Sequence, residues 1–174
     1  DLVDHERLKT PLLEKAEKVG VTAIISDESK YGLFIWEVLS ETLCYAASLV
    51  PEVTEDLAQI DDAMKLGYNW VKGPFELIDE IGIDYLVNRL KKSGKDVPDF
   101  LLNSSNNKFY NTTNSVLSVL SPSGKLSPIV RPKGVLRFSE ARQTLVPINV
   151  NESASWFEYE GAAIVEFHSK VNAL

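Results

Sequence analysis

Residues Glu55–Arg89, EDLAQIDDAMKLGYNWVKGPFELIDEIGIDYLVNR, decide the fold. Leu57, Ile60 and Met64 recur at helical spacing, and Glu55 and Asp56 stand where a first turn favours negative charge. Thr54 is the expected N-cap, and Gly67 the expected left-handed residue that closes the helix. An aromatic-rich turn through Trp70 then runs into Gly73-Pro74. Proline suits a first helical turn, where its missing N–H has no intrahelical acceptor, so a second helix starts there and ends at Gly82. Tyr85, Leu86 and Leu90 carry a third.

Upstream, Leu8, Leu12, Leu13, Ala16 and Val19 fall on one helical face, with Gly20 as a stop. Leu33–Val50 is apolar on almost every face, which predicts the central, buried helix. Glu37 and Glu41, four apart, share its polar stripe, and Pro51 ends it. Downstream, Val97–Leu102 reads as a short last helix. From about Lys108 the pattern becomes strands and turns. Val116–Leu120 and Leu126–Val130 flank the turn signal Ser121-Pro122-Ser123-Gly124. Phe138–Arg142 fits one helical turn, and Trp156 to Phe167 fits two strands around Glu160-Gly161. The expected fold class is therefore mainly α, a helical domain followed by a β-hairpin-rich C-terminal segment. The expected boundaries are 1–29 for a leading helix and connector, 30–105 for the helical domain, 106–158 for a β-hairpin-rich linker and 159–174 for the start of a further domain.

Charge supports the division. Residues 1–94 hold 10 Lys/Arg against 18 Asp/Glu, whereas 95–174 hold 8 against 7. The formal charge of -7 argues against a broad nucleic-acid surface, which needs a basic footprint. The most apolar run contains Glu37 and Glu41, costly at a bilayer centre, so no membrane span is expected. The one cysteine, Cys44, makes no internal bridge and fits a reducing cytoplasm. The chain opens on Asp1 with no signal-peptide pattern, which reads as a piece of a longer protein.

The runs DAMKLG, GPFEL and IGID within Glu55–Arg89 closely resemble the C-terminal helical domain of the 3-hydroxyacyl-CoA dehydrogenases, at matching spacing over about a fifth of the chain. The resemblance implies a parent enzyme of fatty-acid β-oxidation that oxidises 3-hydroxyacyl-CoA to 3-ketoacyl-CoA with NAD. NAD and a catalytic His–Glu pair belong to the family's Rossmann domain, and the helical domain packs against it and closes over the acyl end of the substrate. Fused members hold two helical copies, the first of which supplies an active-site asparagine. Here Ile25-Ser26-Asp27-Glu28-Ser29 offers no asparagine at that place, which points to a second copy resting on the first. The Asn88-Arg89 pair lies at the wrong end of the domain for that role. Gly161–Leu174, GAAIVEFHSKVNAL, looks like the opening strands of the crotonase (enoyl-CoA hydratase) fold. The implied partners are thus the Rossmann, first helical-copy and crotonase domains of one polypeptide, with acyl-CoA as substrate. A chain cut from such neighbours is expected to self-associate through the faces they covered, and Ala163–His168 to be poorly ordered or paired outside its native sheet.

The substrate-lining candidates are Trp70, Gly73, Pro74 and Phe75; the same residues equally serve a turn and a core. No catalytic, cofactor-binding or metal residue is assigned to this chain. It lacks a Gly-x-Gly-x-x-Gly fingerprint, so no NAD binding is expected. His5 and His168 have no second ligand at metal spacing. Glu166 and His168 share a strand face, as an acid/base pair or an exposed polar face, and Glu37 and Glu41 fit either buried general acids or carboxylates that accept from a neighbouring helix end or pair with an arginine. Arg131, Lys133, Arg137 and Arg142 fit either the phosphates of CoA or the acidic groups of a neighbouring domain. The competing reading is a stand-alone helical interaction module that keeps the fold without the chemistry.

Overall fold

The computed structural model describes residues 11–104, 107–113, 116–142 and 144–168. His5 lies outside them. Seven helices come first: α1 (Pro11–Val19), α2 (Thr22–Ile25), α3 (Lys30–Ser48), α4 (Leu57–Tyr68), α5 (Pro74–Ile81), α6 (Ile83–Lys92) and α7 (Asp99–Asn103). Strands β1 (Tyr110–Thr113), β2 (Val116–Leu120) and β3 (Leu126–Pro128) form one sheet in that order. After α8 (Phe138–Ala141), β4 (Asn149–Val150), β5 (Ala154–Tyr159) and β6 (Ala162–Phe167) form a second, again in order. The chain divides into two compact units, one running to Asn111 and including Ser118–Ile129, the other made of Thr112–Leu117 and the residues from Val130.

The helical unit is built around one core. Leu43, Leu57, Phe75, Ile78, Leu86, Leu90 and Leu101 are fully buried there. Phe109, Val119 and Leu120 join the same cluster, so the first hairpin belongs energetically with the helices. Phe75 meets Phe100 and Phe109 edge-on, with ring centroids 6.1 and 5.2 Å away, while Phe100 and Phe109 stack at 5.4 Å. Edge-to-face and offset contacts of this kind add to the area term because ring edges are positive and faces negative.

Local expectations are corrected at three places. Asp56, not Thr54, caps α4: its carboxylate accepts from the Ala58 N–H at 3.0 Å, while Thr54 Oγ1 accepts from Asp56 N at 3.1 Å. The shorter reach of aspartate to the second helical amide wins. Gly67 stays helical, and Asn69 (φ 56°) takes the left-handed position, which asparagine tolerates. Finally, α3 is not buried all round. Trp36, Ser40, Leu43 and Ala47 face the core, but Tyr31, Leu33, Phe34, Val38 and Tyr45 are exposed, Phe34 at 69 %. An apolar composition marks two faces here, and only one of them is covered by the described residues.

In the second unit, Tyr159 pairs with Ala162 across Glu160 (φ 49°) and Gly161 (φ 80°). Two consecutive left-handed residues make the turn whose twist matches a hairpin. Phe157 is buried and meets the Phe138 ring at 5.1 Å. The final strand, expected to be poorly ordered or paired outside its native sheet, is paired with β5 from Ala154↔Phe167 to Tyr159↔Ala162.

Candidate functional site

The densest polar constellation among the described residues lies where α4 meets the start of α5. Asp61, on the inner face of α4, has no solvent exposure. Its Oδ1 accepts from the Phe75 N–H at 2.8 Å; its Oδ2 accepts from the Glu76 N–H at 3.0 Å and the Tyr110 hydroxyl at 2.9 Å. The first amides of a helix lack intrahelical acceptors, so Asp61 caps α5 from a distance of fourteen residues. The approach is tight enough that a Cβ on Gly73 would sit 2.3 Å from Asp61 Cβ. Glu76 folds back to accept from Gly73 N at 2.8 Å and pairs with Lys65 at 2.7 Å. One turn on, both Asp79 oxygens accept from the backbone amides of Phe109 and Tyr110 at 2.8 Å.

Burial pushes the Asp61 carboxyl up to about 6, held from rising further by the Phe75 amide, the Tyr110 hydroxyl and the Glu76 amide. Burial also raises Asp79, and burial together with the Asp61 charge raises the Tyr110 phenol. A carboxyl near neutrality in a pocket is a general acid/base signature. Here the geometry points elsewhere: every donor on Asp61 is an internal protein group, and no face of it meets solvent. The cluster is a clamp joining α4, α5 and the residues leading into β1. The sequence carried a signal for it, an aspartate at a core position of α4 followed by Gly-Pro at a helix start.

The four nominated lining residues fall around this clamp. Gly73 lies against Asp61, Pro74 is the first residue of α5, and Phe75 is fully enclosed in the three-ring cluster. Trp70 is half-buried, in the turn before α5. The sequence places all four together, and the structure adds Asp61 from α4, Asp79 from α5 and, 49 residues from Asp61, Tyr110.

The remaining candidates resolve individually. Glu37 and Glu41 are exposed and share Lys95, each at 2.7 Å, so their partner is a lysine and not the expected arginine or helix end. Cys44 borders an open cleft of about 610 Å³ with Glu41, Tyr45 and Lys95, and burial pushes its thiol up, away from nucleophilic character. Before α3, Asp27 accepts from Ser29 N at 2.9 Å and Ser29 caps the helix. Arg89 lies 4.0 Å over the Trp36 ring and donates to the Ile25 carbonyl, so the Asn88-Arg89 pair ties α6 to α2 and α3.

In the second unit Arg131 is held by Glu140, with Nε 3.2 Å from Oε2, and Arg142 Nε lies 2.9 Å from Glu166 Oε2 in an ion pair without hydrogen-bond alignment. Two of the four basic residues therefore have carboxylates within their own unit. His168 Nε2 is 2.9 Å from Ser155 Oγ and 3.7 Å from Glu166 Oε2. Both partners address the same ring nitrogen, whereas a nucleophilic triad needs the carboxylate on the other. No group of three metal-ligating side chains occurs among the described residues, and no helix there is long and apolar enough to cross a membrane.

The clamp falls within a stretch that is similar to known proteins. Residues 32–115 match the family model of the 3-hydroxyacyl-CoA dehydrogenase C-terminal domain. A probable 3-hydroxyacyl-CoA dehydrogenase of Bacillus subtilis (strain 168) is 31% identical over 180 residues, covering 98% of this chain and 23% of that protein. Putative fatty acid oxidation complex trifunctional enzymes of Rickettsia felis and Rickettsia prowazekii are each 49% identical, over 55 and 59 residues, or 32% and 34% of this chain and 8% of theirs. The chain spans about a quarter of the length of the Bacillus relative it matches. No solved structure matches it significantly. Residues 32–115 are thus a domain of the 3-hydroxyacyl-CoA dehydrogenase C-terminal type, and relatives that share it are named as fatty acid oxidation enzymes.

Proposed function

We propose that this chain is a supporting part of a fatty-acid β-oxidation enzyme that oxidises 3-hydroxyacyl-CoA to 3-ketoacyl-CoA with NAD, and that it carries no active site of its own. One observation supports the supporting role above others. Three acidic side chains at the centre of the family-matching stretch, Asp61, Glu76 and Asp79, are engaged with backbone amides, Lys65 and Tyr110 inside the fold. The names given to the relatives support the parent reaction. NAD would be held by a Rossmann domain elsewhere in the polypeptide. The exposed α3 face of Tyr31, Phe34, Val38 and Tyr45 suits a first helical copy resting against it. Of the four lining candidates, half-buried Trp70 is the one left to meet an acyl chain. The single thiol fits a cytoplasmic enzyme, and the resemblance of Gly161–Leu174 to crotonase strands fits a hydratase domain in the same polypeptide.

The test is direct. The purified chain is mixed with NAD and 3-hydroxybutyryl-CoA, and NADH formation is followed by absorbance, with NAD titrated separately by calorimetry. The expected result is no turnover and no heat of binding. Turnover that survives repurification would overturn the reading.

A further inference from the structure

The partners of Asp61 suit its ionised form, and only one of them can adapt to the neutral one. Asp61 has no solvent exposure and takes the Phe75 N–H on Oδ1, with the Glu76 N–H and the Tyr110 hydroxyl on Oδ2. An ionised carboxylate is acceptor-only and can hold all three donors. Once protonated, it carries an O–H that needs an acceptor of its own, and a buried O–H left without one is costly. The two backbone amides remain donors in every state. A tyrosine hydroxyl both donates and accepts.

We propose that Tyr110 is a proton-reversible latch, which donates to the Asp61 carboxylate and accepts from the Asp61 carboxylic acid, so that the seat of the residues leading into β1 is kept in both states. One proton is taken up. It binds Oδ2 on the side facing Tyr110, and the contact between Oδ2 and Oη persists with its polarity reversed. Oδ2 keeps its other lone pair for the Glu76 N–H and Oδ1 keeps the Phe75 N–H, so α5 stays capped. The displaced Tyr110 O–H turns toward the acidic side of its surroundings, where the charges of Glu76 and Asp62 act on it. The residue itself has no need to move, because Asp79 holds its backbone separately, accepting from the N–H groups of Phe109 and Tyr110 at 2.8 Å each.

The charged groups around the pair are Asp62 and Lys65 from α4, Glu76 and Asp79 from α5, and Lys108 ahead of β1. Lys65 is taken by Glu76 at 2.7 Å, with Asp62 at 3.7 Å, and the charge of Lys108 acts on Asp79. None of the described cations forms an ion pair with Asp61, so no counter-charge offsets burial, which pushes its carboxyl up to about 6. Asp61 is therefore neutral below that pH and charged above it. The phenol, raised by burial and by the Asp61 charge, stays protonated on both sides, as a reversal of the bond requires. The latch lies wholly inside the helical unit and stands independently of the role proposed for the chain.

The experiment uses the whole chain and takes its main reading from the wild type. Raman spectra from pH 4 to 7.5 follow the tyrosine Fermi doublet, whose intensity ratio is low when the hydroxyl donates and high when it accepts. Among the described residues Tyr110 is the tyrosine whose hydroxyl bonds a carboxylate, so the pH-difference spectrum isolates it. In parallel, nuclear magnetic resonance gives the carboxyl carbon shift of Asp61 and the hydrogen-exchange protection of the Phe75 and Glu76 amides. The ratio is expected to rise on acidification with the same midpoint as Asp61, about 6, while both amides keep their protection. Asp61→Asn is expected to make the ratio independent of pH. An Asp61 carboxyl that does not titrate in this range would overturn the proposal. So would a titrating Asp61 with a constant ratio, or with a Glu76 amide that loses about tenfold in protection in acid, since the amide and not the hydroxyl would then be giving way. If Asp61→Asn does not fold, coincidence of the two wild-type midpoints decides alone, and separate midpoints overturn the proposal.

Discussion

Replacing Asp61 by asparagine separates two accounts of the clamp that predict opposite pH dependences. If three donors dominated, the carboxylate would be favoured in the fold and acid would weaken the protein. If burial dominates, the fold favours the neutral acid, and its carboxyl sits at about 6 rather than the usual 3.8. That difference corresponds to about 3 kcal/mol at 1.36 kcal/mol per unit. The sign follows from proton counting. Between pH 4 and 6 the folded chain binds more protons at Asp61 than the unfolded chain, so stability from this group is full below pH 4 and is lost as pH rises through 6. Against a total stability on the order of 5–15 kcal/mol, that is a large fraction.

Asparagine keeps the shape but does not titrate. Its carbonyl can still accept from Phe75 N, while its NH₂ then faces the Glu76 N–H, so one bond to the α5 amides is lost. Urea unfolding of both proteins from pH 4 to 7.5 gives the difference in stability at each pH. Wild type should lead by most at pH 4, and the lead should shrink by about 3 kcal/mol by pH 7.5. The titration of Asp79, raised in the same direction, is present in both proteins and cancels. A lead that grows with pH, or stays constant, would refute the claim that burial outweighs the three donors.

Two further substitutions test the same architecture. Gly73→Ala needs no change in backbone, since φ is -76°, but its methyl would lie 2.3 Å from Asp61 Cβ; the expected loss is about 3 kcal/mol from overpacking and a displaced cap, read from the urea midpoint, and an unchanged midpoint would show that α5 is free to slide. Phe109→Ala empties the middle of the three-ring cluster and should cost about 3–5 kcal/mol in thermal or urea unfolding; a cost under 1 kcal/mol would mean that the first hairpin is an appendage and not part of the helical core.

The helices were legible where composition and periodicity agree with a stop signal. Gly82 and Gly20 end their helices with φ of 89° and 94°, and Pro74 opens α5, all as the residue types demand. The Glu160-Gly161 turn was legible for the same reason. What failed were choices between near-equivalent residues one or two places apart, such as Thr54 against Asp56 or Gly67 against Asn69, where side-chain reach decides. The exposure of α3 was illegible for a deeper reason. Burial is a relation between an element and its partners, and an apolar stripe reads alike whether its partner lies within the unit or outside it.

The clamp extends that argument to the site. The runs DAMKLG and GPFEL catch the eye as a motif, and a motif invites a catalytic reading. The spacing from Asp61, the residue just before DAMKLG, to GPFEL is what the cap requires: an aspartate on α4, a turn long enough to reverse direction, a glycine that admits the carboxylate, and a proline whose missing N–H leaves Phe75 and Glu76 as the amides to be capped. Tyr110 completes the site from 49 residues away, beyond the reach of any local pattern. A stretch can therefore identify a family by fold alone. The Asp61 and Gly73 substitutions act on that fold, with stability as their readout.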